Sequence, residues 1–178
     1  MRDGSSSIAV VKGANGQDVQ ALLAAVAADG RSAGVSVVGV IAEEHGLPER
    51  TCSAGSLRDI VSGSLCSIYL ESTPVGTSCH LDARGVEAAC SLVLDQLEGS
   101  DLVVLSKFGK LEAMRKGLFA AFEAALAAGK PVLTAVSGKH LEALRAFAPQ
   151  AVFIEADAAA LRQWWRSRVD LPLQKAEH

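Results

Sequence analysis

The chain has 178 residues, about half of them apolar, few aromatics and a formal charge of −3. That length suits a single domain with a sizeable core. The mild acidity excludes a phosphate-tracking nucleic-acid binder, which needs a basic face, and no apolar run nears the roughly 18–20 residues of a membrane span.

Residues 1–7 are polar, lack the apolar centre of a signal peptide and read as a disordered N-terminus, so a cytoplasmic protein is expected. Ile8-Ala9-Val10-Val11 reads as a short strand, and Lys12-Gly13-Ala14-Asn15-Gly16 as the turn after it. Val19, Leu22, Leu23 and Val26 then set a helical period over 17–28, with Gly30 and Gly34 at its exit. The β-branched run 35–41 fits a strand covered on both faces, which completes a β-α-β unit.

A polar loop is expected over 42–55. Two short strand-like runs, 57–61 and 65–70, flank Ser62-Gly63-Ser64 and form an antiparallel hairpin, inserted in the sheet or extending its edge. A further loop covers 72–78. The next helix, 82–98, places Val86, Ala89, Cys90, Val93, Leu94 and Leu97 on one face, and Leu102–Leu105 is the strand after it. Leu111, Met114, Leu118, Phe122 and Ala125 predict one continuous helix ending near Gly129. A strand at 131–136, a short helix at 139–147, a strand at 151–154 and a helix at 157–169 capped by Asp157 follow. The residues 170–178 form a polar tail. Strands alternating with helices over 8–169 specify one α/β domain with a mainly parallel sheet.

Three segments carry candidate chemistry. A glycine turn between strand and helix presents free backbone N–H groups to an anion, and Lys12, Gly13, Asn15 and Gly16 occupy that place. It is not a complete phosphate loop, because no Lys-Ser or Lys-Thr pair follows Gly16, and Asp18 adds a negative charge to the first helical turn. The second segment is Cys79-His80-Leu81-Asp82 at a helix start, where a thiol is acidified and binds soft metals. A metal held by Cys79 and His80, approached by Cys52 and His45, stands there against an unreactive thiol beside a cap. Cys66 and Cys90 read as small buried hydrophobes. The third segment, Asp101 to Glu112, is a buried strand emptying into Ser106-Lys107-Phe108-Gly109-Lys110-Leu111-Glu112. Ligands of open α/β sheets sit beside such strand ends. Lys12, Lys107 and Lys110 facing one crevice would select an anion, with Glu112 a helix-start charge or a lysine partner.

These segments resemble those of P-loop nucleoside-triphosphatases related to the human cancer-related nucleoside-triphosphatase. More closely they resemble a bacterial family of unknown function, some of whose members carry molybdenum-transporter labels. The resemblance covers most of 8–153 and rests on the first turn, on Cys79–Asp82 and on Lys107–Glu112. His80 replaces an arginine of the uncharacterised family's Cys-Arg-Leu-Asp motif, and Ser106 an asparagine of its Asn-Lys-Phe-Gly-Lys-x-Glu motif. Against the triphosphatases, Ser106 stands for the magnesium-linked aspartate and Lys107 for the catalytic glutamate, while Gly109, Lys110 and Glu112 match.

The resemblance implies a three-layer α/β sandwich of P-loop type with an antiparallel hairpin insertion. It also implies a degenerate site that binds a nucleotide or a small oxyanion such as molybdate without efficient hydrolysis. Lys12, Gly13, Asn15, Gly16, Lys107, Gly109, Lys110 and Glu112 would form that site. Two alternatives stay open: a magnesium-dependent nucleoside-triphosphatase with a remodelled site, and a ligand-free homodimeric interaction module. Of Trp164 and Trp165, one is expected in the core and one near the surface, where it would mark a dimer contact.

Overall fold

The computed structural model describes residues 7–12, 16–44, 54–68 and 82–169. The elements run β1 (Ile8–Lys12), α1 (Gly16–Ser32), β2 (Val37–Glu44), β3 (Ala54–Asp59), β4 (Leu65–Ser67), α2 (Ala83–Gln96), β5 (Leu102–Leu105), α3 (Lys110–Ala113), α4 (Phe119–Ala127), β6 (Val132–Ala135), a 3₁₀ turn (Gly138–His140), α5 (Leu141–Phe147), β7 (Val152–Glu155) and α6 (Ala158–Arg168).

The seven strands form one sheet in the order β4-β3-β2-β5-β6-β1-β7. The pairs β2–β5, β5–β6, β6–β1 and β1–β7 are parallel, while β2–β3 and β3–β4 are antiparallel. The hairpin therefore extends one edge of the sheet, and the architecture is a three-layer sandwich of P-loop triphosphatase type. Strand alternation explains the layers. Ile8 and Val10 join Val103, Leu105, α2, α4 and Leu144 on one face, while Ala9 and Val11 join Val104, Leu133, α1 and α6 on the other. Residues 102–105 and 132–135 are buried without exception, as strands covered on both faces require.

Helix caps follow the polar residues before them. Asp82 accepts the Arg84 N–H at the start of α2, and Asp157 accepts the Ala160 N–H at the start of α6. Helix α1 runs through Gly30, where a β-carbon would sit 2.9 Å from Val37 Cγ2. The bare glycine lets the helix lie close on the strand it precedes, so the helix outlasts its expected end.

The structure corrects several expectations. The helix predicted from Leu111 to Gly129 is broken into α3 and α4, and Met114 is 52% exposed instead of lying in a buried stripe. Both Trp164 and Trp165 are buried, which removes an exposed tryptophan as a dimer marker. Leu94 is exposed on α2, and Cys66 is half-buried where a fully buried thiol was expected. Strand β2 also continues to Glu44, pairing with a β3 that starts at Ala54, so both ends of the expected 42–55 loop are sheet, while 45–53 lie outside the described residues.

Gly39 lies at the β2–β5 contact with φ +137°, and a β-carbon there would meet the Val104 carbonyl oxygen at 1.7 Å. Gly39→Ala should therefore combine backbone strain with overpacking and cost about 3 kcal/mol or more. Urea unfolding should show the midpoint falling while the slope is kept. An unchanged midpoint would contradict the assigned contact.

Candidate functional site

Strand β5 delivers its last residues to the carboxyl edge of the sheet, and the chain is pinned there from inside. Phe108 is 1% exposed. Its N–H donates to the Ala135 carbonyl at 2.8 Å, and its ring meets Phe122 at 5.4 Å and Phe147 at 6.0 Å between centroids. Ser106 on the other side is also buried. With both neighbours held inward, Lys107 is the residue turned out to solvent.

Glu112 fixes the rest of the turn. It is buried at 6% exposure, with Oε1 accepting the Gly109 N–H and Oε2 the Leu118 N–H, both at 2.9 Å. The second bond reaches past the end of α3, and it explains the helix break. Gly117 has φ +63°, and a β-carbon on it would lie 2.2 Å from Glu112 Oε2, so only glycine permits this approach. Glu87 of α2 accepts the Gly117 N–H at 2.8 Å. Two carboxylates thus hold the 114–118 loop by its backbone. Burial pushes the Glu112 carboxyl above its ordinary range, against the lowering effect of those N–H donors and of Lys107.

A cleft of about 700 Å³ opens at the carboxyl ends of β1, β5 and β6. The start of α1, the 3₁₀ turn, α5 and β7 close it. Its cationic lining residues are Lys12, Lys107 and Arg145. The apolar wall includes Val11, Val136, Leu141 and Phe153, and the Arg145 guanidinium lies 5.2 Å from the centre of the Phe153 ring. Among the described residues no Asp or Glu lines the cleft. Glu155 lies next to it, paired with Lys12 at 3.2 Å, and both side chains are largely exposed. Such a pair is weak and exchangeable in water.

Of the sequence-derived set, Lys12, Gly16 and Lys107 line this cleft. They converge although β6 separates β1 from β5. Gly109, Lys110 and Glu112 are not among its lining residues: Gly109 caps α3, Lys110 is exposed on α3, and Glu112 points inward. Gly13, Asn15, Cys79, His80, Cys52 and His45 lie outside the described residues. Among the described residues, no group of three His, Cys, Asp or Glu side chains is placed to hold a metal ion. No helix there is long and apolar enough to cross a membrane.

Sequence reasoning does not reach Arg145, Ser137 or Gln20. The first two come from distant segments and carry no local signal. Gln20 has one. Counted from Gly13, the pattern G-x-x-x-x-G-K-[ST] would place its lysine at 19 and its hydroxyl at 20. Those positions hold Val19, buried, and Gln20. The Gln20 amide is committed at both ends: Nε2 donates to the Ser106 carbonyl at 2.8 Å, and Oε1 accepts the Ala42 N–H at 2.9 Å. It ties α1 to the ends of β5 and β2, across the place where a metal-binding hydroxyl would stand.

The family described as a protein of unknown function, DUF2478, matches residues 8–164. The chain belongs to the DUF2478 family. It is also 32% identical over 153 residues to a protein of Bradyrhizobium diazoefficiens named molybdenum import ATP-binding protein ModC 2. That match takes in 84% of this chain and only 17% of the relative's length. No solved structure matches the chain significantly.

A carboxyl whose folded pKa is raised binds its proton more tightly in the native state. Its contribution to stability is whole below the ordinary glutamate value of 4.5 and is lost as pH rises through the raised one. The parent should therefore lose stability relative to Glu112→Gln as pH climbs from about 4.5 toward neutrality. Urea unfolding at a series of pH values reads this directly. Parallel curves for the two proteins would show that Glu112 does not titrate this way.

Proposed function

We propose that this member of the DUF2478 family binds a phosphate-bearing ligand of nucleotide size in the cleft at the carboxyl edge of the sheet, without efficient hydrolysis. The observation that carries this reading is the cleft's lining: Lys12, Lys107 and Arg145 stand there beside the start of α1, and among the described lining residues there is no acidic side chain, Glu155 pairing with Lys12 from outside the lining. Charge-assisted hydrogen bonds from lysine and arginine are the usual means of holding phosphate oxygens. The volume exceeds the needs of a bare tetrahedral oxyanion and falls within the range of sites for larger organic ligands. The apolar wall around Phe153 suits a base or another flat apolar group.

Hydrolysis has little support in the same geometry. Lys107 stands where the related triphosphatases carry the carboxylate that orients water, and Val19 where the phosphate lysine belongs. The name of the Bradyrhizobium relative mentions ATP and molybdenum, which makes ATP and the oxyanion molybdate worth testing.

Thermal denaturation with ATP, ADP, orthophosphate and molybdate tests the reading. A ligand at a hundred times its Kd stabilises by about 2.7 kcal/mol, which raises the Tm of a domain this size by roughly 5–10 °C. Lys107→Ala and Arg145→Ala should each weaken binding about tenfold or more, the loss of one charge-assisted contact. Absence of any shift with all four anions refutes the reading. Steady phosphate release from the purified chain would refute the claim of inefficient hydrolysis.

A further inference from the structure

The magnesium ion that accompanies nucleotides on P-loop folds does not fit the residues present in this cleft. We propose that the ligand is taken as a metal-free anion and that magnesium opposes its binding. The inference rests on the reading of the cleft as a phosphate site and narrows the ligand to its uncomplexed form.

Magnesium demands a near-octahedral set of oxygen ligands and is usually anchored to the protein by a hydroxyl or a carboxylate. The hydroxyl position of the phosphate-loop pattern is Gln20, whose amide oxygen already accepts the Ala42 N–H. Its amide nitrogen is bound to the carbonyl of Ser106, the residue in the position of the metal-linked aspartate. The next residue is Lys107, so an ammonium group stands beside the place a dication would take. Among the described residues no carboxylate lines the cleft. Both Glu112 oxygens accept backbone N–H groups in the interior, and Glu155 is paired with Lys12. Residues 13–15, between β1 and α1, are Gly, Ala and Asn and add no carboxylate. Ser137 is the one side-chain hydroxyl among the described lining residues, and it comes from the turn after β6, not from the start of α1 where the phosphate-loop hydroxyl stands.

The three cations instead supply from the protein the positive charge that a metal would bring with the ligand. Magnesium bound to a nucleotide cancels two of its charges and covers phosphate oxygens with its own waters. At least one of the contacts from Lys12, Lys107 and Arg145 is then lost.

Calorimetric titration of the full chain with ATP, in excess EDTA and in excess magnesium at matched ionic strength, decides the question. ATP should bind about tenfold or more tightly in EDTA, the equivalent of one charge-assisted contact. Equal or tighter binding in magnesium overturns the inference while leaving the phosphate reading standing. No binding of ATP in either buffer, with orthophosphate and molybdate still bound, confines the site to small oxyanions and overturns the inference for nucleotides. Silence toward all of them removes the phosphate reading and the inference together.

Discussion

The constraint on which the molecule depends is a parallel sheet sealed by helices on both faces. Strands β5 and β6 are buried along their whole length, and β1 up to its last residue. Charged groups have no place in such strands, because an unpaired charge there is too costly. Chemistry can emerge only where strands end, and three of them end at one edge beside the start of α1. Lys12 and Lys107 reach the cleft for that reason, and Arg145 joins them from α5, which follows β6 over the same edge.

The turn after β5 separates two roles that a motif comparison merges. Gly109 and Glu112, the parts shared with related triphosphatases, face inward and shape the backbone. Ser106 and Lys107, the parts that differ, follow the strand end, the first buried and the second exposed. What the retained residues preserve is the presentation of whichever side chain occupies position 107. Phe108 contributes as much, since its burial among Phe122 and Phe147 is what turns its neighbour outward.

Much of this was legible in the residues themselves. A β-branched run marked β2 and a short apolar run β5, helical spacing marked α1 and α2, and Asp82 and Asp157 announced the helix starts. The failures share a physical cause: each depends on a contact made across the fold. The break after α3 comes from Glu112 and Glu87 drawing in the backbone at Leu118 and Gly117. Local periodicity from Leu111 to Ala125 had no way to register that competition. Arg145 joined the cleft because α5 follows β6 over the same edge, a matter of topology. Lys110 and Glu112 were assigned to the cleft because their motif resembles the triphosphatase turn; neither is among its described lining residues, Lys110 being exposed on α3 and Glu112 bonded inward.

The outermost strand, β4, has only three residues, two of them exposed, and Leu65 shows about half its surface. Unprotected sheet edges invite other chains to add on. Here the available ladder is too short to template a lasting partner, and the Arg58–Glu43 ion pair, which ties β3 to β2, sets opposite charges close behind it. The hairpin thus works as a terminator. On this side the sheet narrows to a three-residue strand, so little free ladder is left among the described residues for another chain to extend.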